Sequence, residues 1–159
     1  MADPYEEILD GRPLIRGPIN GPHELLCERL HHWVAKSLPH NSALHLLPRR
    51  ALVKLRPDTE IRPDLSLMRR HDPRLYLAVE VLQPSDRHPD TVIKKNILAA
   101  CLVPRLWIVD GRYQNIELYV TTGGNFRLEA ILTGNDVVSD SALSSGRLPL
   151  AELFARRTI

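Results

Sequence analysis

The sequence predicts an α/β domain with a mixed central β-sheet flanked by helices and with additional β-hairpins. Two segments with helical periodicity are separated by several short extended runs, and a buried-type strand follows the second of them. The 159 residues are 43% hydrophobic and 25% charged, which is typical of one folded domain covering residues 1–159. This composition excludes a disordered acidic or basic tail.

The N-terminal half predicts a hairpin, a helix and short strands, in that order. Residues 5–15 are predicted to form the hairpin because Asp10-Gly11 suits a turn with positive φ. Prolines interrupt the chain at 18–22, and leucines then recur at helical spacing over 23–37, where Pro39 ends the helix. Extended runs follow at 43–47, 51–55, 60–68 and 75–82.

The C-terminal half predicts a helix that begins with a proline, a buried strand, a hairpin around two glycines and a terminal helix. These elements are predicted at 89–102, 105–110, 115–121 with 125–132, and 150–156. A strand, a helix and a second strand in succession indicate a crossover, so the central sheet is expected to be mixed.

Composition also bears on location and partners. Apolar stretches fall far short of the roughly 18 residues that a membrane span needs, and we expect neither a secretory signal nor membrane association. Cys27 and Cys101 lack metal-site spacing, which favours reduced thiols in the cytoplasm. The net charge is +2, with 17 arginines and 4 lysines, a bias that suits phosphate binding but also a GC-rich genome.

Glu80 breaks the apolar pattern of the strand predicted at 75–82. A carboxylate buried without a partner costs several kcal/mol, so this residue requires a metal ion or a fixed cation nearby. The alternative is a glutamate at the edge of the sheet that reaches solvent.

Asp64 follows Pro63 in the neighbouring strand, on the face opposite to its apolar residues. A hairpin turn centred on Asp72 would place Asp64 directly opposite Glu80, at roughly 4.5–5.5 Å. The two carboxylates would repel each other unless a divalent cation lay between them. A register slip of one residue would instead put them on opposite faces.

Lys94 is predicted to face the sheet from the helix at 89–102. The apolar arc of this helix consists of Ile93, Ile97, Ala100 and Cys101. Lys94 lies close to that arc, whereas Lys95 points away from it. The alternative is a surface ion pair between Asp90 and Lys94. If Lys94 faces inward, it joins two carboxylates that could hold Mg²⁺ or Mn²⁺, and its ammonium group could orient a water or stabilise a phosphoryl oxyanion.

Pro63-Asp64, Glu80-Val81-Leu82 and Lys94, in this order, resemble the PD-(D/E)XK nuclease superfamily and, more closely, its Uma2 family of restriction endonucleases. The resemblance covers most of the chain. It also includes 9–11, 22–23, 61–65, 79–85, 90–94, 103–104, 107–110 and 150–154. Gln83, Leu98, Leu102 and Arg105-Leu106 depart from the residues usual in the family.

This resemblance implies a restriction-endonuclease-like core and Mg²⁺-dependent or Mn²⁺-dependent hydrolysis of DNA by a homodimer. It implies that Asp64 and Glu80 are metal ligands, together with the backbone carbonyl of Val81. Lys94 would be the catalytic lysine, moved from the strand to the following helix. His23 matches a histidine at the start of the family's first helix and would lie near the cleft, or would only cap or pack.

Two other functions remain open. A catalytically silent nucleic-acid-binding or assembly module could keep the same fold and bind phosphates with arginines. These are Arg49, Arg50, Arg69, Arg70 and Arg74. A hydrolase of small phosphoesters is the third reading. Metal affinity separates the silent module from either enzyme.

Overall fold

The computed structural model describes residues 3–17, 20–144 and 146–156. Pro18 and Ile19, in the predicted interruption, lie outside the described residues. The elements in chain order are β1 (Tyr5–Leu9), β2 (Arg12–Arg16), α1 (Gly21–Ser37), β3 (Leu44–Leu46), β4 (Val53–Arg56), β5 (Thr59–Ile61), β6 (Leu65–Arg69), β7 (Leu75–Val81), α2 (His88–Ala100), β8 (Arg105–Asp110), β9 (Asn115–Thr122), β10 (Asn125–Leu132), β11 (Val137–Val138), β12 (Leu148–Pro149) and α3 (Leu150–Leu153). None of the described helices has the length and hydropathy needed to span a lipid bilayer.

A six-stranded sheet with the order β10-β9-β8-β7-β6-β3 forms the centre of the fold. β7 and β8 are parallel and are joined through α2, whereas the other neighbouring strands are antiparallel. β7 is buried along almost its whole length because both faces of the sheet are covered there. The predicted mixed sheet flanked by helices is confirmed.

The two long helices contribute to different cores, which lie on opposite faces of this sheet. Successive side chains of a strand point to opposite faces. Val79 and Trp107 pack in a cluster that includes buried residues of α1, while Ala78 and Leu106 pack in a second cluster with residues of α2. The strand ends that lie between the two helices are therefore shielded from solvent on both faces of the sheet.

A smaller sheet with the order β2-β1-β5-β4 contains the predicted N-terminal hairpin. β1 and β2 pair over their full length, and the turn residues Asp10 and Gly11 have φ values of 51° and 77°. β1 also pairs with β5 through Ile8 and Glu60. This contact attaches the hairpin to the segment that leads into β6.

The prediction of one continuous strand at 60–68 is wrong. The segment divides at 62–64, so that β5 joins the small sheet and β6 joins the large one. Pro63 has no N–H for a strand ladder, which suits the position where the chain leaves one sheet for the other. Asp64 consequently lies at the beginning of β6, next to the break.

The predicted buried face of α2 also requires correction. Ile93 is 47% exposed and Ala100 is exposed, whereas Lys94, Ile97 and Leu98 are buried. The buried arc is therefore centred nearer to Leu98, a residue that the predicted arc omitted. The terminal helix is also shorter than predicted, because α3 ends at Leu153.

The hairpin turn provides a test of backbone strain. A Cβ at Gly11 would contact nothing within 4 Å, but the φ of 77° is unfavourable for an L-residue. We expect Gly11→Ala to lower the free energy of unfolding in urea by about 1–2 kcal/mol. The matched control is Gly21→Ala, where space is also open and φ is not positive. Equal unfolding midpoints for the two variants would contradict this explanation.

Candidate active site

The β6–β7 hairpin sets the position of the two predicted carboxylates. The register pairs Leu65 with Val79 and Leu67 with Leu77, as expected for a turn centred on Asp72. An irregularity between Leu67 and Met68 lies nearer the turn and does not change this register. Continued by one residue past Leu65, the register brings Asp64 to the end of β7 where Glu80 lies.

Asp64 is 1% exposed and is held on several sides. Its Oδ2 accepts a hydrogen bond from the Val81 N–H at 2.8 Å and lies 3.5 Å from His23 Nε2. Its Oδ1 lies 3.3 Å from Arg50 Nε. Burial alone would raise the pKa of Asp64, but the contact with His23 and the charge of Arg16 hold this pKa below its usual range.

Glu80 has a cation on each carboxylate oxygen. Oε1 lies 2.6 Å from Lys94 Nζ, and Oε2 accepts a hydrogen bond from Arg16 Nη1 at 2.9 Å. Burial raises the pKa of Glu80 above its usual range, and the charges of Lys94 and Arg16 offset only part of this effect. The sequence argument that this strand carboxylate needs a cation is therefore confirmed, and protein side chains supply two.

Lys94 points towards the sheet, as its position on the helix predicted. Its side chain is buried, and Nζ lies 2.6 Å from oxygens of both Glu7 and Glu80. Among the described residues its ion pairs are with these two glutamates rather than with Asp90. Burial would lower the pKa of Lys94, but the charges of Glu80 and Glu7 outweigh burial and raise this pKa.

Glu7 is a member of the site that sequence reasoning missed. It is completely buried on β1, where its Oε2 accepts hydrogen bonds from Lys94 Nζ and from the Arg62 N–H. A usable signal was present, because Tyr5 and Leu9 share a face of the strand with Glu7. A single carboxylate on an otherwise apolar face is the same pattern that drew attention to Glu80.

His23 lies at the start of α1 and contacts the predicted metal ligands directly. Its Nε2 lies 2.8 Å from the Val81 carbonyl oxygen, which can only accept, so this nitrogen carries the proton. The other ring nitrogen, Nδ1, lies 3.6 Å from Cys27 Sγ. The N-cap interaction uses only the backbone N–H of His23, which donates to Asn20 Oδ1 at 2.8 Å. The histidine ring therefore lies at the site, and the cap involves only its backbone.

The donor atoms present fit a hard divalent cation. Glu7 Oε1 and Asp64 Oδ1 are buried oxygens that form no hydrogen bond within the described part of the chain, although Arg50 Nε lies 3.3 Å from Asp64 Oδ1 as an ion-pair partner. Carboxylate oxygens are the ligands that Mg²⁺ and Mn²⁺ prefer. In a second group, the softer ligand atoms of His23 and Cys27 and a carboxylate oxygen of Asp64 lie within 4.8 Å of one another.

A cavity of about 220 Å³ opens beside this cluster. Its lining includes Glu7, Glu80 and Lys94, and apolar side chains such as Leu98 and Leu106. The carboxylate and ammonium groups of the cluster therefore border a space large enough for a small molecule or for part of a larger one.

The five arginines considered for phosphate binding fall into two groups. Arg49 and Arg50 form ion pairs with Glu24 at the start of α1, and Arg50 also contacts Asp64. The others, Arg69, Arg70 and Arg74, are exposed at the β6–β7 turn. Arg50 therefore belongs to the site cluster itself, whereas the turn arginines lie at the other end of the hairpin.

Comparisons with known proteins identify a family from the sequence and a similar fold from one solved structure. Residues 2–151 match the model of the Uma2 family, described as "Putative restriction endonuclease". A crystal structure from Anabaena variabilis, described as a "putative nuclease belonging to DUF820", has 17% identity and a TM-score of 0.78 over 97% of this chain and 92% of that chain. A cryo-EM structure of a DrdV–DNA complex has 17% identity and a TM-score of 0.42, over 82% of this chain and 11% of that chain. No curated protein matches.

Proposed function

This chain belongs to the Uma2 family, and from that membership and the geometry of the site we propose that it is a metal-dependent endonuclease acting on DNA. The observation that carries the proposal is the buried meeting of Glu80, Lys94 and Glu7, together with the hydrogen bond that Asp64 accepts from the N–H of Val81, the residue after Glu80. Two proposed ligand residues lie at adjoining strand ends, and a lysine contacts one of them. A nuclease-like fold supports this reading.

In the proposed reaction, a water oxygen attacks phosphorus in line and the bond to the 3′ oxygen breaks, leaving a 5′-phosphate and a 3′-hydroxyl. Asp64 and Glu80 would hold Mg²⁺ or Mn²⁺, together with the Val81 carbonyl. A bound divalent ion supplies Lewis acidity towards the phosphate and the attacking water. His23 keeps the Val81 carbonyl and Asp64 close together through its Nε2 contacts.

Lys94 is suited to act on the reacting groups. An ammonium group has three N–H donors, and one of them is donated to Glu7 Oε2, while Glu80 Oε1 lies 2.6 Å from Nζ as an ion-pair partner. A remaining donor can orient the attacking water or bind a phosphoryl oxygen as negative charge develops. We include a homodimer in the proposal, because a pair of sites would suit the cutting of both strands of a duplex. Cytoplasmic location is included because the spacing of the two cysteines favours reduced thiols.

Metal removal tests this function. Supercoiled plasmid incubated with the purified protein and Mg²⁺ or Mn²⁺ is expected to become nicked. EDTA should stop the reaction, and added metal should restore it. Nicking that persists in EDTA would contradict the proposal. Failure to nick the plasmid with either Mg²⁺ or Mn²⁺ would contradict it as well. Light scattering on the same preparation tests the dimer.

A specific observation favours one second candidate, a catalytically silent nucleic-acid-binding module. Both oxygens of Glu80 are already paired with protein cations, so the cluster is held together by its own side chains. Calorimetry separates the two functions. Salt-dependent DNA binding without any Mn²⁺ binding would favour the silent module over the nuclease.

A further inference from the structure

Arg16, the last residue of β2, is built into the candidate site. Its Nη1 lies 2.9 Å from Glu80 Oε2, and its Nη2 lies 2.9 Å from Asp86 Oδ2. The guanidinium carbon lies 5.6 Å from the centroid of the Tyr5 ring. The residue is 8% exposed, so this arginine is part of the interior and not a surface cation.

Each oxygen of Glu80 already faces a cation, so a divalent ion that binds Glu80 competes with Lys94 or with Arg16. Displacing Lys94 would leave Glu7, which is completely buried, without its charge partner. Displacing Arg16 costs less, because its other partner, Asp86, has other ways to compensate its charge. The Asp86 side chain is 15% exposed, and its Oδ2 also accepts the Gln83 N–H at 2.8 Å. The contact between Arg16 and Glu80 is therefore the one that should yield.

We propose that Arg16 is a positioning residue that competes with the divalent cation for Glu80 Oε2 and so sets the metal concentration at which the site fills. This inference rests on the proposed function, in which Glu80 is a metal ligand. A guanidinium neutralises a carboxylate without acting as a Lewis acid. Its positive charge also repels an approaching divalent ion, and this repulsion is strong where solvent is excluded.

Mn²⁺ binding to the full chain tests the inference without measuring activity. Arg16→Met keeps the aliphatic length of the side chain and removes the charge. We expect its Kd for Mn²⁺, measured by calorimetry and by electron paramagnetic resonance, to be at least about tenfold lower than that of the parent. Arg105→Met is the matched control, because it removes the same charge from a residue that pairs with Glu129 and Asp140. The control should bind Mn²⁺ like the parent.

The results of this experiment distinguish a failure of the role of Arg16 from a failure of the proposed metal site. Equal or weaker Mn²⁺ binding by Arg16→Met would overturn the role of Arg16 and leave the metal site standing. Absence of binding in both proteins would overturn both proposals. Mn²⁺ binding by Arg16→Met and not by the parent would support competition between Arg16 and the metal ion for Glu80.

A second measurement uses the unaltered protein, in case Arg16→Met does not fold. The two ion pairs should protect the Arg16 guanidinium protons from exchange with solvent, which is observable by nitrogen-15 nuclear magnetic resonance. Saturation with Mg²⁺ is expected to shift this signal and remove the protection. An Arg16 signal that is unchanged at saturating Mg²⁺ would overturn the inference.

Discussion

Replacing Asp64 by asparagine is expected to lower the rate of plasmid nicking about a thousandfold or more. The substitution preserves size, and the amide oxygen can still accept the Val81 N–H that Asp64 Oδ2 accepts at 2.8 Å. It removes the negative charge that would hold the divalent ion. Loss of several kcal/mol of transition-state stabilisation corresponds to at least three orders of magnitude in rate.

The control for Asp64→Asn is Asp72→Asn at the β6–β7 turn. Asp72 is exposed and pairs with Arg74, so the control changes net charge equally without affecting the site. Initial nicking rates at saturating Mn²⁺ and circular dichroism spectra would be compared for both variants and the parent. A folded Asp64→Asn protein that cuts within tenfold of the parent rate would remove Asp64 from the mechanism.

Replacing Lys94 by methionine is expected to lower the free energy of unfolding by about 3–5 kcal/mol, because it leaves a buried carboxylate without compensation. Glu80 would keep Arg16, but among the described residues Glu7 would keep only the Arg62 N–H as donor to its Oε2. Nicking should also be lost, since the ammonium donor is gone. Urea denaturation and the plasmid assay measure the two effects.

The adjacent lysine provides the control. Lys95 lies over the Tyr119 ring, with Nζ 4.1 Å from the ring centroid, so Lys95→Met should cost about 1 kcal/mol or less. Adding Glu7→Gln to Lys94→Met should recover part of the lost free energy of unfolding, because the uncompensated buried charge of Glu7 is removed. If Lys94→Met unfolds at the same urea concentration as Lys95→Met, the buried cluster does not contribute as argued.

Local sequence patterns were sufficient to predict two features of the site. The register of β6 and β7 followed from the turn position, and the inward direction of Lys94 followed from helical periodicity. Both depend on residues that are close in sequence. The roles of Asp64 and Glu80 as metal ligands remain predictions.

The site residues that the sequence did not predict are brought in by packing between distant segments. Glu7 and Arg16 come from the N-terminal hairpin, and their closeness to Glu80 depends on where this hairpin attaches to the rest of the fold. No local pattern specifies that attachment. The division of the run at 60–68 was missed for the same reason, because the two strands that result belong to different sheets.

The contact between Glu7 and Lys94 joins positions 87 residues apart. A nascent chain on the ribosome therefore cannot assemble the proposed site until α2 has been translated and has left the exit tunnel. Fraying of the first hairpin in the finished protein would have the same result, since it would withdraw Glu7 and Arg16 together. The proposed activity would therefore require the first hairpin and α2 to have packed together.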